Sequence, residues 1–159
     1  MKYQLSYDSP FGLGWIGFEG QQITGTVLPG LPSLTQVEVV SQVPGWLMSW
    51  KEELEAFFQD GHHLICPKRF FQQGGSAFRT RVYEAVASIP TGETRSYSEI
   101  AVRAGSPGAA RAVGTAMAQN RFAPWVPCHR VVPAGGGVGS YGGGAPFKAA
   151  LLTLEARRP

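Results

Sequence analysis

At 159 residues the chain has room for one domain or two small lobes, and a hydrophobic content of 43% is enough to fold them. No apolar run reaches the roughly 18 residues of a membrane span, and Met1-Lys2-Tyr3-Gln4 lacks the apolar core of a signal peptide, so a soluble cytoplasmic protein is expected. The net charge of +3 hides opposite halves: residues 1–66 carry two bases against seven acids, residues 67–159 twelve against four. Clustered cations of the second kind gain affinity for polyanions by releasing counterions, and ten of the fourteen bases are Arg, whose fork suits phosphate. A solvated basic surface is the plainer reading of the same charges. The two cysteines, Cys66 and Cys128, do not make a disulfide framework.

In chain order, three short alternating runs come first: Tyr3–Tyr7, Trp15–Phe18 and Gln22–Leu28. They are bounded by Asp8-Ser9-Pro10, Gly20 and Pro29-Gly30, as strands of a small antiparallel sheet would be. Trp46, Trp50, Leu54 and Phe57 follow at helical spacing, with Gly61 placed to stop the helix. These aromatics read as core. The segment 61–75 has no period and reads as a connection. Within it His62, His63 and Cys66 lack a fourth ligand and match no zinc spacing, so no metal is expected.

The basic half opens with an apolar helical face, Phe78, Val82, Val86 and Ile89, ending at Pro90. Ser96 and Glu99 form a capping box, in which hydroxyl and carboxylate satisfy free amides at a helix start. Ile100, Ala101 and Ala104 give that helix its buried side. Gly105 ends it, and Ser106-Pro107 is expected to start the next with Pro at its first position. Ala109, Ala110, Val113, Ala116 and Met117 then face inward. Two short helices across a glycine-bearing turn predict a helix-turn-helix. The outer face of the second helix carries Arg111, Thr115 and Ala118, with Gly108 and Ala112 nearby: small residues and one long cation, where a solvated face carries several charges. Such a face permits close approach to another surface, whether DNA or protein.

The fold expected is therefore α+β. A small N-terminal antiparallel-sheet lobe with a helix (1–70) precedes a mostly helical domain (71–159) that holds the helix-turn-helix. Cys128 follows Pro127 and precedes His129-Arg130. A lone Cys in an apolar stretch is usually a small buried hydrophobe, but a neighbouring base or cation makes its thiolate accessible. In an extended segment adjacent side chains diverge, so His129 is expected to reach Cys128 through a water unless the backbone turns.

The string Pro127-Cys128-His129-Arg130-Val131 resembles the signature of the O6-alkylguanine-DNA alkyltransferases. So do Gly92-Glu93-Thr94-Arg95-Ser96-Tyr97, Ala109-Ala110-Arg111-Ala112-Val113-Gly114, Asn120, Tyr141 with the following glycines, and Leu151-Leu152 through Glu155, in the family's order. The resemblance covers about Phe78 to Glu155. It implies single-use transfer of an alkyl group from O6-alkylguanine, or O4-alkylthymine, in DNA to Cys128 after base flipping, with no cofactor and by a monomer. It implies that His129 deprotonates the thiol through water, Glu155 orients His129, and Asn120 braces the turn. Arg111 would replace the extruded base, and Tyr97 would turn a phosphate and protonate the leaving guanine. Ser96, Ala110 and Thr115 would lie against double-stranded DNA, in the minor groove and without sequence preference. Tyr141, Val131, Gly142, Trp125 and Met117 would line the pocket. Three positions depart from the family's pattern: Ala118 replaces a second basic residue, Gly142 a small polar one, and Trp125 a smaller aliphatic one.

Rival readings are narrower. Gly137-Val138-Gly139-Ser140-Tyr141-Gly142 fits the spelling of a dinucleotide loop, but no strand, helix and later acid frame it. A non-enzymatic reader of alkylated DNA would not need Cys128. A major-groove regulator would need more base-reading side chains than the Arg111 face offers. A cysteine hydrolase would need an oxyanion hole and a His not tied to the next position in sequence.

Overall fold

The structure is a computed structural model that describes residues 2–157. Met1, part of the N-terminal segment read above, and Arg158, counted in the basic half, lie outside the described residues, as does Pro159. The first lobe is a sheet of strands β1 (Tyr3–Tyr7), β2 (Gly14–Glu19), β3 (Gln22–Val27) and β4 (Glu38–Val39) in the order β3-β2-β1-β4. β1 and β3 flank β2 antiparallel, and the two-residue β4 joins β1 in parallel. Helix α1 (Met48–Asp60) packs on this sheet through Leu54, Phe57 and Phe58. It stops where expected: Gly61 takes φ 75°, a left-handed conformation that costs glycine nothing, and its N–H closes onto Phe57. Trp46 sits just before α1, in a 3-10 turn over Gly45–Leu47.

The second half contains α2 (Ala77–Ala87), β5 (Arg95–Ser96), α3 (Tyr97–Arg103), α4 (Ala110–Ala118), β6 (Val131–Val132) and α5 (Ala145–Ala156). The capping box is present in full, with Ser96 accepting from the Glu99 amide and Glu99 accepting from the Ser96 amide. The start of the second helix corrects the sequence reading. Pro107 does not occupy a first helical position. Ser106–Ala109 is a turn closed by the Ala109 N–H on the Ser106 carbonyl, with Gly108 at φ 83°. Proline second and left-handed glycine third is the chemistry of a type II turn, which uses Pro107 for the bend and delays the helix to Ala110. α3 and α4 nonetheless form the expected helix pair. Arg111, Ala112, Thr115 and Ala118 are exposed, while Val113, Ala116 and Met117 are buried. Ala109 and Ala110 are only half-buried.

One buried hydrophobic cluster runs through both halves. The contact between them is aromatic: Phe70 stacks on Phe122 at 4.0 Å, and Trp125 meets Trp50 and Phe70 edge-on. It is also hydrogen-bonded, because the Thr26 amide and hydroxyl of β3 donate to carbonyls of Arg121 and Ala123. The segment leading to Cys128 is thus fastened to the N-terminal sheet. Among the described residues no helix is long and apolar enough to cross a membrane.

Candidate active site

Cys128 opens a single 3-10 turn, Cys128–Arg130, rather than an extended segment. Its N–H donates to Val126 at 2.8 Å, and the Arg130 N–H to Pro127 at 2.9 Å. The turn buries three polar side chains in sequence, leaving Cys128 7%, His129 0% and Arg130 6% exposed. Buried ionisable groups need partners, and α5 supplies them. Lys148, Leu151 and Glu155 lie three and seven residues apart on that helix and share its buried face.

Glu155 accepts from both members of the turn: His129 Nε2 binds Oε1, while Arg130 Nε reaches Oε2 at 2.8 Å and its Nη2 binds the same oxygen. Arg130 also donates to the Ile89 carbonyl and the Thr91 hydroxyl. Burial pushes the Glu155 carboxyl up, but His129 and Arg130 outweigh it and hold the group below its ordinary range. Burial lowers His129, against the pull of Glu155, so its imidazole is neutral at pH 7. With Nε2–H donated to the carboxylate, the basic nitrogen is Nδ1. That atom is buried and has no hydrogen-bond partner in the protein, so His129 does not bond the sulfur directly.

Burial raises Cys128 as well. The Asn120 side chain, the charge of Lys148 and the backbone N–H groups of Cys128 and His129 act in the opposite direction. Asn120 donates to Val126, the carbonyl that also receives the Cys128 N–H. Lys148 Nζ donates to the carbonyls of Val131 and Ser140 and lies 5.8 Å from the centre of the Tyr97 ring. Its ammonium is buried, which lowers its pKa.

The remaining expected residues divide into three groups. Tyr97 and Tyr141 both sense Cys128. Burial raises each, and charge on the sulfur raises each further. The Tyr141 hydroxyl is buried without a hydrogen-bond partner and stands close enough to Cys128 to interact with it. Val131 is buried, pairs with Arg95 across β5 and β6, and spends its N–H on Cys128 and its carbonyl on Lys148. Ser96 caps α3 and is half-buried, and Thr115 is exposed one turn beyond Arg111 on α4, where it turns its hydroxyl back onto the Arg111 carbonyl. The third group lies apart from the sulfur in its contacts. Met117 is core, Gly142 is exposed on the loop near Leu28, and Trp125 packs against Trp50 and Phe70 with its indole N–H on Glu53. Trp125, offered above as a pocket wall, therefore serves the contact with the N-terminal lobe, which accounts for a bulky aromatic at that position.

Sequence reasoning assigned no role to Arg130, Lys148 or Gln73. A signal existed for Lys148, the lone cation in an apolar helix and in phase with Glu155. Among the described residues no group of three or more His, Cys, Asp or Glu side chains is placed to hold a metal. His63 instead meets the Thr91 hydroxyl at 3.0 Å.

Residues 77–157, from α2 to the end of α5, match the family described as 6-O-methylguanine DNA methyltransferase, DNA binding domain. The chain belongs to that family. It is 56% identical to a methylated-DNA–protein-cysteine methyltransferase of Mycobacterium tuberculosis, covering 99% of this chain and 94% of the relative. A protein of the same description from Mycobacterium leprae is 44% identical over 82% of this chain and 81% of its own length. In three dimensions the chain is similar to M. tuberculosis OGT in complex with DNA, at a TM-score of 0.80 and 38% identity, covering 97% of this chain and 92% of that one. Membership carries the family's activity, DNA repair by transfer of an alkyl group from DNA to a cysteine of the protein, and makes DNA a partner.

Proposed function

We propose that Cys128 is the acceptor, taking the alkyl carbon from O6-alkylguanine after the base has been turned out of double-stranded DNA. The observation that carries this is one buried sulfur on which the Asn120 side chain, the charge of Lys148 and two backbone N–H groups act, in the same turn that carries His129 and Arg130 to Glu155. The resting thiol is protonated, because burial raises it, so its proton must leave as the reaction proceeds. His129 Nδ1 takes that proton through a bridging water, and Glu155 stabilises the imidazolium. Arg130 keeps Glu155 ionised and in place.

The sulfur lone pair forms the S–C bond as the C–O6 bond breaks, and the electron pair leaves on guanine. Tyr97 supplies the proton that guanine then requires. Negative charge on Cys128 raises the Tyr97 hydroxyl, so Tyr97 becomes a better acid as that charge moves from sulfur to guanine. The thioether formed is a poor leaving group, so each molecule acts once.

O6 lies within the paired stack, so the base must be extruded, and a badly paired alkylated guanine lowers that cost. Arg111, the long cation on a face of small residues, fills the gap. The surface of Ser96, Tyr97, Ala110 and Thr115 follows the minor groove with little sequence preference, held largely by phosphate contacts. Tyr141 and Val131 complete the proposed surround of the base, with Gly142 on the loop that follows Tyr141, while Met117 backs α4 from the core. The protein acts as a monomer, and the cytoplasm or its nucleoid is where the substrate is met.

The deciding measurement is the intact mass and peptide map after exposure to a duplex containing O6-methylguanine. One added methyl per molecule on the Cys128 peptide, and a plateau at one equivalent of repaired base, are expected. Multiple turnovers, or the methyl on Cys66, would contradict the assignment.

A further inference from the structure

Gln73 lies at the junction of the two halves, one residue beyond the 3-10 turn Lys68–Gln72, and it is buried. Its carboxamide is fully engaged. Oε1 accepts from the Arg121 backbone N–H at 2.6 Å, and Nε2 donates to the Phe70 carbonyl at 3.1 Å and to Asn120 Oδ1 at 2.9 Å. Asn120 Oδ1 also accepts from the Phe122 N–H at 3.0 Å, while its Nδ2 donates to the Val126 carbonyl at 2.8 Å. Each amide is thereby oriented by backbone groups of known polarity. The Arg121 and Phe122 amides can only donate, and the Phe70 and Val126 carbonyls can only accept. With Oδ1 turned to Gln73 and Phe122, the N–H side of Asn120 is left facing the Val126 carbonyl, which also receives the Cys128 N–H, and from there the Asn120 side chain acts to lower the Cys128 thiol.

We propose that Gln73 is a positioning residue for the alkyl transfer: it holds the Asn120 carboxamide so that an N–H, not an oxygen, meets Cys128. This rests on the reading of Cys128 as acceptor. An N–H stabilises the developing thiolate, whereas an amide oxygen repels it. Two donors on Oδ1 make the reversed amide costly, since reversal would set N–H against N–H on one side and oxygen against oxygen on the other. Gln73 also ties the acceptor segment to the junction between the halves, because the Arg121 guanidinium donates to its carbonyl. Through Asn120, the junction between the halves thus acts on the reacting atom.

The test uses the full chain in a Cys66→Ser background, so that a single thiol is read. Gln73→Glu keeps the shape and the acceptor for Arg121 but places a carboxylate oxygen against the Phe70 carbonyl and Asn120 Oδ1. The pH dependence of Cys128 alkylation by iodoacetamide should then shift upward by about one unit. Transfer from an O6-methylguanine duplex at neutral pH should slow roughly threefold, because a more basic thiolate recovers about half of the loss as nucleophilicity. Affinity for undamaged duplex should stay unchanged. Gln73→Met, uncharged and similar in volume, should shift the profile the same way by less, and it carries the test if the carboxylate variant does not fold. In an Asn120→Ala background neither substitution should move the profile further. Profiles that superimpose on the parent, or an equal shift without Asn120, would overturn the proposal. A methyl group absent from Cys128 in the parent protein would overturn the acceptor assignment instead, while the iodoacetamide profiles would still score the link between Gln73 and Asn120.

Discussion

The two cysteines sit in contrasting surroundings. Cys66 is half-buried in the irregular segment between α1 and α2, its sulfur 3.7 Å from the Pro67 carbonyl, and burial pushes its thiol up to about 12. Cys128 is more deeply buried, yet an amide side chain, a lysine and two backbone N–H groups oppose the effect of burial there. Burial alone therefore makes a cysteine inert. A reactive one needs burial together with donors already in place, and those donors must themselves be held. Cys66 belongs to the acidic half and Cys128 to the basic half, so the contrast also separates scaffold from chemistry.

The sharpest way to break the comparison is Cys128→Ser. Methyl transfer, followed by mass, should vanish while duplex binding persists, because a hydroxyl is a far weaker nucleophile at neutral pH and the exposed Arg111 face is untouched. Arg130→Leu comes next. It leaves Glu155 buried without its permanent cation, and removal of one partner of a buried pair costs about 3–5 kcal/mol. Denaturant unfolding should show that loss, and a midpoint equal to the parent's would mean that Arg130 is not what keeps Glu155 in place.

Arg111→Ala sharpens the division between chemistry and DNA. Stabilising an extruded base is worth a few kcal/mol, so repair in duplex should slow by roughly ten- to a hundredfold. Reaction with free O6-benzylguanine, which needs no extrusion, should hardly change, and equal slowing of both would remove the role assigned to Arg111. The acid side of the stability curve gives a smaller effect. Burial holds His129 below its ordinary 6.5, so below that pH the unfolded chain binds a proton that the folded protein refuses. Stability should fall as pH drops below about 6.5 and fall further once Glu155, held below its ordinary 4.5, is forced to protonate. Thermal unfolding of the parent and of His129→Gln checks this, the variant losing the first part of the slope. The smallest effect is expected at the other cysteine: Cys66→Ser should leave transfer within error.

Much of this molecule was legible in its residues. Alternation at Tyr3–Tyr7, the stop at Gly61 and the Ser96–Glu99 capping box are local signals, because the groups that satisfy each other lie within a few residues. The proline at position 107 misled because the same residue serves a helix start and a turn. The choice fell to Gly108 and to the hydrogen bond between Ala109 and Ser106, which become evident only once the turn has closed.

By itself the sequence determined the order of elements and the charge division between the halves, which depend on composition, period and spacing that a single chain displays directly. Its resemblance to the family pointed to Cys128, His129 and Glu155. Only the tertiary structure decided which nitrogen of His129 is left without a partner, that Arg130 and Lys148 are buried beside Cys128, and that Gln73 reaches Asn120 across 47 positions. Orientation and burial are set by partners far away in sequence, and the ionisation of a buried group is set by which partners arrive.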